Sequence, residues 1–265
     1  MNKVAIVGYG YVGKAFARFF EDYEVVIYDP AYKEYSDFDV VNTADIAVIC
    51  LPTVAKEDGS ADTSIVFEMA KKIKIPTIIK SAIPPGTTDA LNIKFGPRFC
   101  VSPEYMGESK YYTPYWKYPH PQDGKSHGFL VVGGPEPVAT LVVDTFMRVM
   151  GPDTKVIKMD AIEAELVKYM ENTWGATKVT FANEFYEICK AFKADYHKVR
   201  EGWAMDGRVE RMHTMVLPDK RGFGGKCFPK DLFAIIHAST KKNYHPKLLL
   251  QVLHSNEEFI AKNNE

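Results

Sequence analysis

The sequence predicts an α/β fold: a parallel sheet covered by helices in the first half, followed by a helical region built on one long central helix. Three observations carry this. Short apolar runs alternate with helical patterns up to about residue 150, and a glycine-rich turn joins the first run to the first helical pattern. Residues 160–200 then contain no proline and repeat apolar side chains at helical spacing.

Val4-Ala5-Ile6-Val7 is a short apolar strand ending at Gly8, and Val12 to Phe20 repeats apolar residues with a helical period. Glu24 to Asp29 is a second strand, stopped by Pro30, and Ile46 to Leu51 a third, stopped by Pro52. Ile65 to Ile73 reads as a helix, Thr77 to Lys80 as a fourth strand, and Arg98 to Ser102 and Phe129 to Val132 as further strands. Nearly continuous apolar strands between helices indicate parallel pairing with both faces covered. From about Asp160 the period becomes helical, through Leu166, Tyr169, Met170, Thr173, Trp174 and Thr177. The composition shift near Gly151-Pro152-Asp153 places a boundary close by, giving domains 1–158 and 159–265. Tyr111 to Pro121, rich in tyrosine and proline, is the one long irregular stretch.

A chain of 265 residues with 46% hydrophobic and 25% charged residues has the composition of a globular protein. A net charge of -1 offers no electrostatic case for nucleic acid or an anionic membrane surface. Cys50, Cys100, Cys189 and Cys227 lie far apart, which excludes a disulfide scaffold or zinc ribbon, and Cys50 sits in an apolar run as a core residue. The seven histidines form no pair at metal spacing, so no metal is expected. With no signal-like or membrane-spanning segment, the expected compartment is the reducing cytoplasm.

Gly8-Tyr9-Gly10-Tyr11-Val12-Gly13 fits GxGxxG directly after a strand and before a helix. Gly8 permits the tight turn, Gly10 lets the backbone approach a pyrophosphate, and Gly13 allows close helix–strand packing, with the helix N-terminus facing the anion. Asp29 ends the second strand, where a carboxylate accepts hydrogen bonds from a ribose diol and repels a 2'-phosphate. The first half is therefore a Rossmann-type dinucleotide domain with NAD as its cofactor. Pro52 and Thr53, at the C-terminal end of the third strand, are further cofactor contacts.

Gly222 to Asp231 sets Cys227 at the end of a glycine loop with a carboxylate, Asp231, four residues later. A cysteine held there is a candidate covalent nucleophile, against the bland reading of a structural cysteine after a turn. Lys168 and Asn172 lie four residues apart on one helical face, able to stabilise an oxyanion, although such a lysine is elsewhere usually a solvated side chain. Glu104 and Tyr105 follow a strand in Ser102-Pro103-Glu104-Tyr105. Lys80, at another strand end, reads as structural. A P-loop is excluded, because Gly225-Lys226 lacks the following hydroxyl residue and the upstream glycine spacing.

These residues resemble the UDP-glucose/GDP-mannose dehydrogenase family. Gly8 to Gly13 is similar to its GxGYVG, Lys80 to Pro84 to its KSTxP, and Ser102 to Tyr105 to its SPEF. Ala164-Glu165-Leu166 with Lys168 and Asn172 resembles AELxKxxxN, Met205 to Arg208 resembles MDxRI, and Gly222 to Asp231 resembles GFGGSCFPKD. The resemblance implies a four-electron oxidation of a sugar primary alcohol to a carboxylate with two NAD, UDP-glucose being the expected substrate. By position, Cys227 traps the aldehyde as a thiohemiacetal and the second hydride transfer leaves a thioester. Lys168 and Asn172 stabilise oxyanions, Asp231 holds a water or acts as base, and Glu104 assists hydrolysis. Glu108 is a further candidate, for hydrolysis or as a cofactor contact. Tyr105, Phe223, Gly224 and Gly225 contact substrate, and Arg208 reaches it in a neighbouring subunit, so a homodimer through the long helix is implied.

Three departures from the family stand out. Ala82 replaces a threonine that positions a water, Lys226 replaces a serine beside the nucleophile, and the sequence stops soon after residue 250, where the family continues into a nucleotide-gripping α/β domain. Two other readings remain: a two-electron dehydrogenase of the β-hydroxyacid type, which has no need of Cys227, and a catalytically silent NAD-binding subunit.

Overall fold

The computed structural model describes residues 2–106 and 123–264. The stretch from Tyr111 to Pro121 and Glu108 lie outside the described residues. The chain forms two compact units, Met1–Val54 with Asp62–Lys168, and Ala55–Ala61 with Tyr169–Glu265.

The first unit is a seven-stranded sheet: β1 (Lys3–Val7), β2 (Glu24–Tyr28), β3 (Ile46–Ile49), β4 (Thr77–Ile79), β5 (Phe99–Val101), β6 (Phe129–Gly133) and β7 (Lys155–Met159), in the spatial order β2-β1-β3-β4-β5-β6-β7. Because β2 and β3 flank β1 on opposite sides, the chain reverses direction of winding there, and the C-terminal ends of β1 and β3 are the position at which open α/β sheets bind ligands. The sheet departs from the expected all-parallel one at β5 and β6, which pair antiparallel through Val101 and Gly133. The strand β7 adds to those expected from the sequence. It is an edge strand whose side chains are mostly solvated, with Lys155 and Lys158 outward, so it lacks the apolar run that marks the central strands.

Helices α1 (Tyr11–Phe19), α2 (Ser64–Lys72), α3 (Thr87–Phe95) and α4 (Glu136–Met150) cover the two faces. On one face Val4, Ile6, Ile46 and Val48 pack with Phe16, Phe19, Phe20 and Phe146. On the other Ala5, Val7, Ala47 and Ile49 pack with Val66, Met69, Leu91 and the start of α5 (Ala161–Ala191). Strands β1 and β3 are buried throughout, as their continuous apolar sequence requires.

In the second unit, the remainder of the 31-residue α5 joins α6 (Tyr196–Trp203), α7 (Phe228–Lys241) and α8 (Lys247–Ala261). Ala176, Phe223, Leu232 and Val252 form one small core, and Ala182, Cys189, Tyr196 and Val216 another. The hairpin of residues 55–61 belongs here: Ala61 packs with Tyr169 and Ala234, and Asp58 C=O lies 2.9 Å from His237 Nδ1. The division therefore falls later than the composition shift suggested, because the first two turns of α5 pack on the sheet. Of the positions in α5 that kept a helical period, Tyr169 and Thr173 are buried, whereas Leu166, Met170 and Trp174 are exposed.

That packing is tight. A Cβ added at Gly133 would stand 2.5 Å from Ala164 Cβ and 2.8 Å from the Asp160 carbonyl oxygen. Gly133→Ala should therefore push α5 off the sheet and cost about 1–3 kcal/mol, the range for an overpacked core site. Urea denaturation followed by circular dichroism measures this, and an unchanged midpoint would contradict it.

Candidate active site

In the first unit the candidate residues gather at the C-terminal edge of the sheet. Gly8 adopts φ +91, and a Cβ there would meet the Cys50 carbonyl oxygen at 2.6 Å. At Gly13 a Cβ would lie 1.9 Å from the Gly8 carbonyl oxygen, so α1 can start this close only with glycine. A Cβ on Gly10 would meet nothing within 4 Å, which leaves its backbone open to an approaching pyrophosphate. Tyr11 and Val12 begin α1 and are half-buried, packed against the core on that face of the sheet.

The carboxylate of Asp29 ties this loop to β2. Its Oδ2 accepts from Tyr9 N–H at 2.7 Å and its Oδ1 from Ala31 N–H at 2.9 Å. The Tyr9 ring meets Tyr35 and Tyr32 edge-on at 5.2 and 5.8 Å, with Lys14 Nζ 5.5 Å from the centre of the Tyr9 ring. The donor-rich glycine turn, the open face at Gly10 and a carboxylate at the end of β2 fit the pyrophosphate and ribose of NAD.

The short segment Lys80-Ser81-Ala82 after β4 binds its neighbours on both sides. Lys80 Nζ donates to Ser102 Oγ at 2.7 Å, Leu51 N–H donates to Ser81 Oγ at 2.9 Å, and Thr53 Oγ1 donates to the Ala82 carbonyl at 2.6 Å. Thr53 is buried and spends its hydroxyl on this link, while Pro52 is exposed. Lys80 is enclosed, 5.0 Å from the ring centres of both Phe16 and Phe146, and burial pulls its ammonium down to about 7. Its structural role is thus to hold the loop that begins at Ser102.

That loop carries Glu104 and Tyr105. Lys168 Nζ, from α5, donates to the Glu104 carbonyl, and the Glu104 carboxylate accepts from Met106 N–H. Lys168 Nζ also lies 5.6 Å from the Tyr105 ring centre, and Tyr105 meets Phe129 edge-on at 4.9 Å. One turn earlier on α5, Glu165 is buried and anchors the helix. It accepts from Gly86 N–H at 2.5 Å, from Thr88 N–H at 2.7 Å and from Thr88 Oγ1 at 2.7 Å, capping the N-terminus of α3. Only its place in the AEL triplet singled out Glu165 in the sequence. Burial raises its carboxyl to about 7, opposed by these three hydrogen bonds.

In the second unit Cys227 is exposed and occupies the N-cap of α7, where the peptide dipoles place positive potential. Asp231 sits in the first turn of that helix, buried to 1% exposure, and its N–H donates to the Cys227 carbonyl at 2.9 Å. Its carboxylate accepts from Asn172 Nδ2 and pairs with Lys230 Nζ at 2.6 Å. Asn172 and Asp231, 59 residues apart in sequence, are thus brought together as a buried amide–carboxylate pair. Phe223 is buried, Gly224 and Gly225 are exposed, and Gly225 adopts φ +80. Arg208 is exposed and forms a forked pair with Asp206, at 3.0 Å through Nε and 2.5 Å through Nη2. Among the described residues, no group of three or more His, Cys, Asp or Glu could hold a metal ion.

Residues 162–258 match the model of the UDP-glucose/GDP-mannose dehydrogenase family, central domain. Along most of its length the chain is similar to UDP-glucose and GDP-mannose dehydrogenases. It is 27% identical to the UDP-glucose 6-dehydrogenase AglM of Haloferax volcanii, over 96% of this chain and 69% of that protein. It is 31% identical to the putative UDP-glucose 6-dehydrogenase YtcA of Bacillus subtilis, over 80% of this chain and 50% of that protein. The chain thus spans between half and about two thirds of the length of these relatives. A solved UDP-glucose dehydrogenase from Pyrobaculum islandicum superposes with a TM-score of 0.82 at 25% identity, over 97% of this chain and 68% of that one. A 3-hydroxyisobutyrate dehydrogenase from Mycobacterium tuberculosis shares the fold alone, with a TM-score of 0.71 at 16% identity over 94% of its length.

The environment of Glu165 makes a prediction about pH. A carboxyl whose folded pKa of about 7 lies above its ordinary 4.5 binds more protons folded than unfolded between those values. Its contribution is fully present below pH 4.5 and is lost as pH rises to about 7, a change on the order of 3 kcal/mol. Glu165→Gln should remove this component of the slope, as read from urea midpoints across that window in both proteins. Equal slopes would refute it.

Proposed function

We propose that this protein oxidises the primary alcohol of a nucleotide sugar to a carboxylate with NAD, and that the substrate is UDP-glucose, giving UDP-glucuronate. The observation that carries this reading is an exposed cysteine at a helix N-cap, one turn before a buried Asp231–Asn172 pair. A two-electron alcohol dehydrogenase has no use for such a thiol, whereas a four-electron oxidation must retain its aldehyde between steps.

When bound, NAD would supply the hydride acceptor, one molecule for the alcohol-to-aldehyde oxidation and a second for the thiohemiacetal-to-thioester oxidation. The Gly8, Gly10, Tyr11, Val12 and Gly13 turn would hold its pyrophosphate and Asp29 its adenosine ribose. Pro52 and Thr53 would flank it at the end of β3, Thr53 by its main chain because its hydroxyl is donated to Ala82. Glu108 belongs to the same proposed set.

Cys227 Sγ adds to the aldehyde carbon, forming a carbon–sulfur bond and a thiohemiacetal alkoxide. Lys168 and Asn172 are the proposed oxyanion partners, a cation and an amide donor. After the second oxidation the carbon remains on the same sulfur as a thioester. Water then attacks it, the carbon–sulfur bond breaks, and the thiolate leaves a carboxylic acid. Asp231 and Glu104 are the proposed acceptors of the water proton. Tyr105, Phe223, Gly224 and Gly225 would line the sugar, and Arg208 would reach it from a neighbouring subunit. With Ala82 in place of a hydroxyl residue, the proposed handling of the water falls to these carboxylates.

The exposed side of α5 supports a homodimer. Met170, Trp174, Phe181, Phe185, Ile188 and Phe192 recur along it at three-, four- and seven-residue intervals, and all are exposed. A second copy of the same stripe is the natural cover for it. The cytoplasm fits four free cysteines, and among the described residues no helix is long and apolar enough to cross a membrane.

A second reading, a two-electron oxidation of a β-hydroxyacid, draws on the fold shared with the 3-hydroxyisobutyrate dehydrogenase over nearly all of that chain. Counting NADH per sugar consumed separates the two. The proposal expects about two with UDP-glucose, from the stoichiometry of a four-electron oxidation, and Cys227→Ser should abolish acid formation while leaving NAD affinity within about twofold. A ratio near one, or full activity in the variant, refutes the covalent route. Phe185→Glu should shift the protein from dimer to monomer in sedimentation velocity, and an unchanged sedimentation coefficient would reject the α5 interface.

A further inference from the structure

The loop that ends at Cys227 is gripped from a helix that no motif singled out. Asn256 in α8 accepts from Phe223 N–H at 2.6 Å through Oδ1 and donates to the Phe223 carbonyl at 2.9 Å through Nδ2. Asn263, in the 3-10 turn Lys262–Asn264 that continues α8, treats Arg221 in the same way. Its Oδ1 accepts from Arg221 N–H at 2.6 Å and its Nδ2 donates to the Arg221 carbonyl at 3.2 Å. Seven residues separate the two asparagines, which places them two turns apart on one face. Each carboxamide supplies one acceptor and one donor, so together they present to alternate residues what a neighbouring strand would.

The residue between is held from the other side. Gly222 N–H donates to Asn183 Oδ1, on α5, at 3.2 Å. Gly222 adopts φ +72, and a Cβ there would stand 2.7 Å from Asn256 Oδ1, so α8 can approach this closely only over glycine. The buried Arg221 side chain completes the attachment. Its Nε reaches Asn183 Oδ1 at 2.6 Å, its Nη2 the Asn183 carbonyl at 3.1 Å and its Nη1 Glu187 Oε1 at 2.7 Å. Three successive backbone N–H groups, at Arg221, Gly222 and Phe223, are therefore all satisfied by asparagine side chains.

Two glycines create the need for such a grip. Gly224 and Gly225 carry no side chains to pack, and glycine has the most backbone freedom to lose. Cys227 is fixed on its C-terminal side by α7. On its N-terminal side, the hold on residues 221–223 anchors the backbone that enters the two glycines. We propose that Asn256 and Asn263 are positioning residues, which clamp the backbone at Arg221 and Phe223 and so keep the Cys227 sulfur at the N-terminus of α7. This rests on Cys227 being the nucleophile.

The test uses the full chain carrying Asn256→Ala and, separately, Asn263→Ala. Hydrogen exchange of the peptide spanning residues 221–227 and the rate of Cys227 alkylation by iodoacetamide near neutral pH are read by mass spectrometry. The other three cysteines are buried and resolved as separate peptides. Loss of a clamp should speed exchange and slow alkylation, each by about tenfold, the factor equivalent to one ordinary hydrogen bond. Exchange in the middle of α5 should stay as in the unsubstituted protein. Alkylation within twofold of that protein, or exchange accelerated equally throughout the second unit, overturns the proposal. If Asn256→Ala does not fold, Asn263→Ala at the outer end decides alone. Neither readout requires turnover, so failure of the unsubstituted protein to oxidise any nucleotide sugar would count against the dehydrogenase reading and leave the clamp to its own result.

Discussion

Glu165 pins the beginning of α5 to the N-terminus of α3, and several of the polar contacts in this chain are laid out along that helix. Its carboxylate accepts three hydrogen bonds from Gly86 and Thr88 in the first turn of α3. Nearby, Gly133 lets Ala161 and Ala164 come against the backbone of β6. With its start fixed in rotation and in depth, α5 carries Lys168 to the Glu104 carbonyl one turn later. Further on, the same helix supplies Asn172 to Asp231 and Asn183 to Arg221 and Gly222.

Two different ways of handling buried charge surround the candidate groups. Among the described residues Lys80 has no carboxylate in hydrogen-bond contact; it meets the Ser102 hydroxyl and two aromatic faces, and burial draws its pKa down to about 7. Asp231 is as deeply buried but keeps an ammonium and an amide on its oxygens, so its charge is paired. The first arrangement holds a loop and the second holds a polar pair beside an exposed thiol. Both use helix ends and strand ends, where main-chain groups are free to share the load.

Sequence reading succeeded where the physical cause is local. The apolar runs of β1 and β3, the glycines that let α1 begin against β1, the acid closing β2 and the cysteine opening α7 can each be found within about ten residues. It fell short at β7, whose solvated edge carries no apolar run, and at the antiparallel β5–β6 pair, since direction is not encoded in a strand's composition. It treated the residues of α5 as one period. The structure resolves them into a buried side with Tyr169 and Thr173 and an exposed apolar side with Met170 and Trp174.

By itself the sequence determined the α/β class, the glycine turn between β1 and α1, the acid that closes β2 and the glycine loop before Cys227. These depend on period, glycine freedom and the spacing of polar groups, which are properties of short segments. The folded chain alone decided which distant groups meet. Glu165 caps a helix 79 residues upstream, Asn172 finds a carboxylate 59 residues downstream, and Asn256 grips a backbone 33 residues before it. Such contacts exist because buried polar groups must find partners, and close packing leaves each only the neighbour that topology brings within reach.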